Sequence, residues 1–266
     1  MFKDSTFTCP DESEWKFDKK ISEKSIRFHD ERDVALAESQ AVYHCHQVKG
    51  QSVGKEAIIK VRMQVPHIYP ANSDPNIRAR EAVTECIPGP TATEILTLTH
   101  LNKKRCSVVP QLLYRVNHYQ SIEMSIPMGY VVILIMQKCP GAPLTDFWRY
   151  NEAKREKIRE AFRRGYTNFL SYNAYAEDPR KENIIYDEQE NKCWFIDHEQ
   201  TDILDGPESL SFYEDDFVRW GLRPYIPGGN CYRCSSPKVS EILNEYIKVP
   251  EILNGTFLKD INIHSV

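Results

Sequence analysis

The feature that most constrains the fold of this 266-residue chain is the stretch 177–200, which reads EDPRKENIIYDEQENKCWFIDHEQ. It begins as a polar loop that contains Asp178 and Asn183 in the spacing D-x-x-x-x-N. Two short apolar runs come next, separated by polar residues that favour a turn, so the pattern predicts a β-hairpin. Asp197 comes directly after the second run. We therefore expect two carboxylates and an amide at one end of this hairpin, where they could hold a divalent cation and position a hydroxyl nucleophile.

An ordinary acidic hairpin with a solvated turn would show the same spacing, so the rest of the chain has to decide between the two interpretations. Upstream, the runs 41–48 and 56–63 are strand-like and are separated by a turn-rich connector, which predicts a second hairpin. Lys60 lies in its second strand, after two small or apolar and two β-branched positions. A lysine on one face of an exposed strand is common, so the informative feature is its place upstream of a helix that contains a glutamate.

That helix is expected after Pro88-Gly89-Pro90, with Thr91 as its N-cap and an apolar face at 95–101. Glu94 then has two interpretations. As the third residue after the cap, it could turn back to the Thr91 backbone in a capping box. Alternatively, it could form an ion pair with Lys60, with Glu81 and Glu85 as other possible partners.

The centre of the chain predicts a buried strand followed by a long helix. The continuous apolar run 128–136 is typical of a strand that is buried on both faces. Gln137 and Lys138 follow this run, and the proline and glycine shortly after them end the strand. Residues 150–172 have apolar side chains at helical spacing and a basic opposite side, so they predict an amphipathic helix. The Asp178 loop comes directly after this helix.

Composition excludes several classes of function. A net charge of −4, with 41% hydrophobic and 27% charged residues, indicates an ordinary globular protein and gives no reason to expect a nucleic-acid partner. No apolar run has the length of a membrane span, and the N-terminal residues lack the apolar core of a signal peptide, so we expect no membrane partner and a cytoplasmic or nuclear location. The eight cysteines suit free thiols in a reducing compartment. Cys231 and Cys234 form a single CxxC without a second pair, and we interpret them as two surface-loop thiols, with a zinc site or a disulfide as the alternative.

Several of these motifs together resemble a known family. The loop and hairpin DPRKENIIYDEQENKCWFIDHE, the strand A-I-I-K that ends at Lys60, the run GYVVILIMQK and the segment DDFVRWGL resemble the protein-kinase-like fold. The sequence of these motifs is similar to that of the aminoglycoside-phosphotransferase branch, and most similar to that of a group of largely uncharacterised fungal kinase-like proteins. In those branches an acidic residue often replaces the glycine after the second aspartate, and Glu199 fits that habit.

The resemblance implies a two-lobed α+β fold. Its N-lobe would be a small antiparallel sheet with one helix, and its reduced C-lobe would be mainly helical and carry the catalytic hairpin. We expect residues 1–40 to be an extension that packs onto the body through its aromatic rings, residues 41–137 to form the N-lobe, and residues 138–266 to form the C-lobe.

The resemblance also implies a function, an ATP- and Mg²⁺-dependent phosphotransferase. Asp178 would orient the nucleophile, while Asn183 and Asp197 would bind the metal. Lys60 would hold the phosphates, positioned by Glu94. Backbone groups of the segment that contains Gln137 and Lys138 would bind the adenine.

The chain departs from the family pattern in ways that bear on activity. No G-x-G-x-x-G precedes Lys60, and Ala176-Glu177-Asp178 stands where kinases have His-Arg-Asp. The absence of an A-P-E segment and of a long activation loop favours a hydroxyl or amine of a small molecule as the acceptor. Two alternatives stay open: a pseudokinase, which would bind nucleotides or other proteins without turnover, and a different nucleotide-dependent transfer such as adenylylation. The acceptor and the oligomeric state cannot be deduced from these motifs.

Overall fold

The computed structural model of the protein describes residues 2, 4–29, 35–83, 87–204 and 210–225. The chain forms two compact units. Of the described residues, the first unit contains those up to 88 together with Leu112–Lys138. The second unit contains Gly89–Gln111 and the residues from 139 to 225.

The first unit is built on an antiparallel sheet. The strands are β1 (Thr6–Thr8), β2 (Glu14–His29), β3 (Ala35–Lys49), β4 (Glu56–Val65), β5 (Leu112–Tyr119) and β6 (Tyr130–Gln137). They lie in the order β1-β2-β3-β4-β6-β5, so that β4 is a central strand between β3 and β6. The unit also contains a single helical turn, α1 (Pro75–Arg78), which continues as a 3-10 turn over Ala79–Glu81.

The two faces of this sheet have different chemistry because strand side chains alternate. One face is apolar, and residues such as Tyr43, Ile59 and Ile133 are buried there in the core of the unit. The other face carries polar residues that are also buried, including Lys60 and Arg62. The predicted hairpin at 41–63 is confirmed as β3 and β4, and β6 is buried on both faces as expected.

Described residues of the N-terminal segment 1–40, which we expected to be an extension, belong to this sheet. All of β2 and the beginning of β3 lie in it and pair with each other over a long antiparallel ladder. Phe7, Trp15 and Phe17 are buried in the core. The polar composition of β2 concealed this strand because the side chains of residues 19–25 are exposed, so no hydrophobic alternation marks them.

The second unit combines two longer helices with short strands. The helices and strands are α2 (Gly89–Lys103), β7 (Ala142–Pro143), α3 (Glu152–Leu170), β8 (Ala174–Ala176), β9 (Ile184–Asp187), β10 (Lys192–Phe195), β11 (Thr201–Ile203) and α4 (Asp215–Arg219). The pairs β9–β10 and β7–β9 form one small sheet, and β8 pairs with β11. Two 3-10 segments, Leu144–Arg149 and Lys181–Asn183, connect these elements.

The core of the second unit is aromatic and centres on α3. Asn151 caps this helix by accepting a hydrogen bond from the Lys154 backbone N–H at 2.9 Å. Phe162 is fully buried and contacts the rings of Tyr166, Phe195 and Trp220 at centroid distances of 5.3 to 5.8 Å. The predicted amphipathic helix is therefore confirmed, with bounds slightly inside those expected.

Helix α2 differs from the expectation in two respects. It begins at Gly89, so Thr91 is the third helical residue and not the N-cap, and the proposed capping box with Glu94 is wrong. Proline fits the first turn of a helix because backbone N–H groups there have no partner within the helix, so the N–H that proline lacks is not needed. The helix also belongs to the second unit, where Thr97 donates a hydrogen bond to the Thr201 carbonyl at 3.2 Å, whereas the sequence placed it in the N-lobe.

The protein thus has a mixed α and β structure with one large antiparallel sheet and few helices. None of the helices in the described part of the chain has the length and apolar character needed to cross a bilayer. The CxxC at 231–234 lies outside the described residues.

Candidate functional site

The site is organised by the β9–β10 hairpin, which the structure confirms. Ile184 pairs with Phe195, and Asp187 pairs with Lys192 next to the turn. Asp187 accepts hydrogen bonds from the backbone N–H groups of Gln189 and Glu190, which shape that turn. The alternate residues of each strand are buried in the aromatic core, so the hairpin is anchored firmly.

Asn183 and Asp197 lie at the open end of this hairpin. The Ile196 N–H donates a hydrogen bond to the Asn183 carbonyl at 3.0 Å, which fixes the two polar residues next to each other in the chain path. Asp197 is exposed and has φ of +64°, a left-handed conformation that most residues avoid. The structure therefore brings these two predicted residues to the same place.

Asp178 is held by Arg180, a residue that the sequence analysis missed. The Arg180 guanidinium donates to both carboxylate oxygens of Asp178, with a distance of 2.9 Å from Nε to Oδ1. The hydrogen bond with Asp178, together with the negative charges of Asp178 and Asp197, raises the pKa of Arg180. Arg180 thus links the Asp178 loop electrostatically to Asp197. The spacing Asp-Pro-Arg was the available signal, because residues two apart in an extended loop project to the same side.

Three carboxylates converge at Asp197. Oxygen atoms of Glu94, Asp197 and Glu199 all lie within 4.8 Å of one another. Glu94 is only 1% exposed on α2, whereas Asp197 is exposed and Glu199 is half-buried. Like charges this close repel strongly unless a cation or a proton compensates them. Carboxylate oxygens are the ligands that Mg²⁺ and Ca²⁺ prefer, so this cluster could hold a divalent cation.

A second acidic region borders the loop on the β8–β11 pair. The Glu177 N–H donates a hydrogen bond to the Gln200 carbonyl at 2.9 Å. Burial raises the pKa of Asp202, and burial together with the charge of Asp202 raises the pKa of Glu177. Arg219 opposes the shift at Glu177. These two carboxyl groups are therefore less readily ionised than ordinary surface acids.

The remaining predicted residues lie in the first unit. Lys60 is 3% exposed on β4, opposite Val42 on β3 and Leu134 on β6. Gln137 on β6 lies opposite Ala57 on β4. Ala57 is three residues before Lys60, so Gln137 and Lys60 are separated by roughly 10 Å along the strand direction. The Lys138 ammonium donates a hydrogen bond to a Glu56 carboxylate oxygen at 2.9 Å.

The sequence analysis also missed a buried polar group beside Lys60. The Arg62 guanidinium donates to the Glu38 carboxylate at 2.9 Å, and the Tyr130 hydroxyl donates to the same carboxylate at 3.0 Å. Both members of the ion pair are fully buried. Apolar and polar residues alternate along this strand from Ile59 to Val65, a pattern typical of a strand with one solvated face, so the sequence indicated an exposed Arg62.

The predicted partners of Lys60 have different outcomes. Glu94 lies in the second unit with Asp197 and Glu199, and its ion pair with Lys60 stays a prediction. Glu81 contacts the imidazole of His67, with 3.1 Å between carboxylate and ring nitrogen. Glu85 lies outside the described residues.

No protein-family model and no curated protein sequence matches the chain. Among solved structures, the chain is similar to the kinase PK-1 of Cydia pomonella granulovirus, with 18% identity over 75% of this chain and a TM-score of 0.40. It is also similar to WbdD, with 16% identity over 62% of this chain and a TM-score of 0.39. The protein spans 55% of the first chain and 31% of the second, so what those whole proteins do is at most a proposal for this one.

Proposed function

We propose that the protein is a kinase-like phosphotransferase that uses ATP and Mg²⁺ and acts on a hydroxyl or amine of a small molecule. The observation that carries this proposal is the convergence of Glu94, Asp197 and Glu199 beside the Asp178 loop. In phosphoryl transfer, catalysis consists mainly of positioning and charge neutralisation, and these are what such a group of side chains can provide. The proposed fold is the two-lobed kinase-like fold, of the branch that includes aminoglycoside phosphotransferases and related fungal proteins.

The donor set suits a magnesium ion. Asp197 and Glu199 would hold it, with Glu94 and the Asn183 amide completing the oxygen ligands. When bound, the ion would neutralise negative charge on the phosphates. The exposure of Asp197 leaves a path from solvent to the cluster.

The protein's own residues would supply the positioning. Asp178 would accept a hydrogen bond from the acceptor hydroxyl or amine and so orient it for attack. Arg180, which pairs with Asp178, would add a positive charge to balance phosphate charge. Lys60 would hold the phosphates, and the backbone around Gln137 and Lys138 would bind the adenine. The proposed acceptor is a small molecule in the cytoplasm or nucleus. The acidic residues around Asp178 would repel the phosphates of a nucleic acid.

A second function is favoured by one observation. The bidentate bond from Arg180 uses one lone pair on each oxygen of Asp178 and neutralises the carboxylate charge, so Asp178 is a weaker base toward an acceptor. If this pair persists when nucleotide binds, the protein would be a pseudokinase, a nucleotide-binding or protein-interaction module without turnover.

Calorimetric titration with ATP, with and without Mg²⁺, tests the metal site. We expect binding that depends on Mg²⁺ and that weakens at least about tenfold in Asp197→Asn, because one charged contact is lost. Glu188→Gln is the matched control, since Glu188 is an exposed acid in the turn of the same hairpin and pairs with Lys154 instead. Equal affinity in the wild type and Asp197→Asn would contradict the proposed site.

Turnover separates the two functions. For a phosphotransferase, release of ADP in the presence of an acceptor panel should fall sharply in Asp178→Asn while Mg²⁺-dependent ATP binding persists. ATP binding without ADP release under any acceptor would support the pseudokinase. Release of pyrophosphate instead of ADP would indicate transfer of the nucleotidyl group.

A further inference from the structure

The outer edge of β2 is open over most of its length. This strand lies between β1 and β3, and β1 pairs with it only over residues 14–16. Backbone hydrogen bonds from Asp4 and to Ser5 extend the cover as far as Phe17. Beyond that residue, none of the strands in the described ranges pairs with the outer edge.

The open edge becomes regular at Ser22. Between Phe17 and Ser22 two register shifts interrupt the pairing with β3, and irregularities of this kind commonly protect sheet edges. From residue 22 to residue 28 the register is unbroken and the sequence contains no proline. The side chains of residues 22–25 and of Arg27 are exposed. A regular, accessible edge of this length can pair with another strand.

The charges on this edge are symmetric about Ser25. Residues 22–28 read SEKSIRF, so that Glu23 and Arg27 lie at equal distances on either side of Ser25 and on the same face. In an antiparallel pair of two copies with Ser25 opposite Ser25, each Glu23 lies opposite the other copy's Arg27, with Cβ atoms roughly 5 Å apart. On the other face the stem of Lys24 lies opposite Ile26.

Neighbouring registers lack this complementarity. In an antiparallel pair, two residues that lie opposite each other both direct their backbone N–H and C=O groups toward the partner strand, or both direct them away from it. The centre of a two-fold pair therefore falls on a residue and not between two residues. Centring the pair on Glu23 places Glu23 against Glu23 and Lys19 against Arg27. Centring it on Lys24 places Lys24 against Lys24. Like charges directly opposite one another destabilise a sheet, and centring the pair on Ile26 leaves Arg27 opposite the uncharged Ser25, so the Ser25 register is preferred.

The ion pair that Glu23 makes within its own chain does not prevent this exchange. The Lys20 ammonium lies 2.5 Å from a Glu23 carboxylate oxygen, and both side chains are about half exposed. Exposed pairs of this kind contribute little stability, so Glu23 can change its partner at small cost.

We propose that this surface binds a second copy of the chain. The two β2 edges pair antiparallel about a two-fold axis at Ser25 and join the two sheets into one. A strand pair of about seven residues runs for roughly 24 Å and buries an area at the low end for specific interfaces. The dimer is therefore reversible and forms with rising protein concentration.

Sedimentation velocity of the full chain, from low to high micromolar concentration, tests the proposal. The average mass should rise from the monomer towards twice that value. Arg27→Glu and Glu23→Arg should each raise the dissociation constant at least about tenfold, because two attractive pairs become two repulsive ones. The double variant Glu23→Arg/Arg27→Glu should restore the dimer. A monomeric wild type, or a folded double variant that fails to recover, would overturn the proposal.

Two controls separate this interface from general effects of charge. Glu14 on β2 and Lys49 on β3 form a partly exposed ion pair, with 3.0 Å between carboxylate oxygen and ammonium, and reversing either charge should leave the dimer unchanged. The register is tested by mild oxidation of Ser25→Cys and Ser22→Cys. Only the first substitution puts two thiols opposite each other and should give a cross-linked dimer. Equal cross-linking of the two variants would refute the Ser25 register.

Discussion

At the scale of single residues, the backbone of Asp197 shows how the site is built. A left-handed φ costs a non-glycine residue about 1–2 kcal/mol, and Asp197 adopts it at +64°. The same residue brings its carboxylate to within 4.8 Å of those of Glu94 and Glu199. The fold therefore keeps a backbone cost at the residue that joins this carboxylate cluster. Such costs persist where the surrounding structure enforces them, and they concentrate at functional sites.

Gly141 is required by close contact as well as by conformation. It has φ of +103°, and a Cβ placed on it would lie 2.1 Å from the Tyr186 carbonyl oxygen. We expect Gly141→Ala to lower the free energy of unfolding by at least about 2 kcal/mol, because backbone of the hairpin strand would have to move. Gly54 also has a positive φ, of +87°, but no atom within 4 Å of its added Cβ.

Gly54→Ala is therefore the matched control, and it should cost about 1 kcal/mol from the backbone conformation alone. Urea unfolding of the two variants measures the difference. Equal losses would show that the contact with Tyr186 does not limit the site.

Asp202 should make stability depend on pH. Burial raises its pKa in the folded state, so folding disfavours the ionised form. The resulting penalty is absent below the unfolded pKa of about 3.9, grows as the pH rises from there to the folded pKa, and is constant above it. Asp202→Asn should therefore stabilise the protein at neutral pH and change little at pH below that of the unfolded carboxyl. Thermal unfolding of both proteins across pH tests this, and a gain that is independent of pH would contradict it.

At the scale of elements, α3 and the hairpin next to it carry the stability of the second unit. Phe162 is fully buried and packs against rings from α3, β10 and the middle of α4. Phe162→Ala should cost about 3–5 kcal/mol, since it removes a large buried side chain and leaves a cavity. Chemical denaturation measures this cost.

Leu96 supplies the control for that prediction. It lies on α2 in the same unit and is 47% exposed, so Leu96→Ala should cost less than about 1 kcal/mol. A similar loss in both variants would mean that the aromatic core tolerates a cavity. It would also weaken the case that this core fixes the hairpin.

Elements with a regular hydrophobic pattern were predictable from the sequence. The hairpins β3–β4 and β9–β10, the buried β6 and the helix α3 all have apolar residues at the expected period. The strand β2 was missed because its outer half has no buried face. The start of α2 was misplaced because Pro90 was interpreted as a breaker, although proline is compatible with a first turn.

At the scale of the whole molecule, the site was predictable only where its residues are close in sequence. Asp178, Asn183 and Asp197 belong to one loop and hairpin, and local strand pairing brings the last two together. The convergence of Glu94 with Asp197 and Glu199 depends on the packing of α2, which no local pattern encodes. The Glu38–Arg62 pair likewise depends on the register of two strands.

The composition of the two units has a consequence for how the chain is made. Helix α2 is synthesised before β5 and β6, but its side chain Leu101 packs in a core whose other members mostly come after residue 139. During translation, α2 is therefore made before the residues that it packs against in the second unit, because the last two strands of the first unit are made in between. Its apolar face is exposed during that interval, and folding of the second unit is tied to late events in translation.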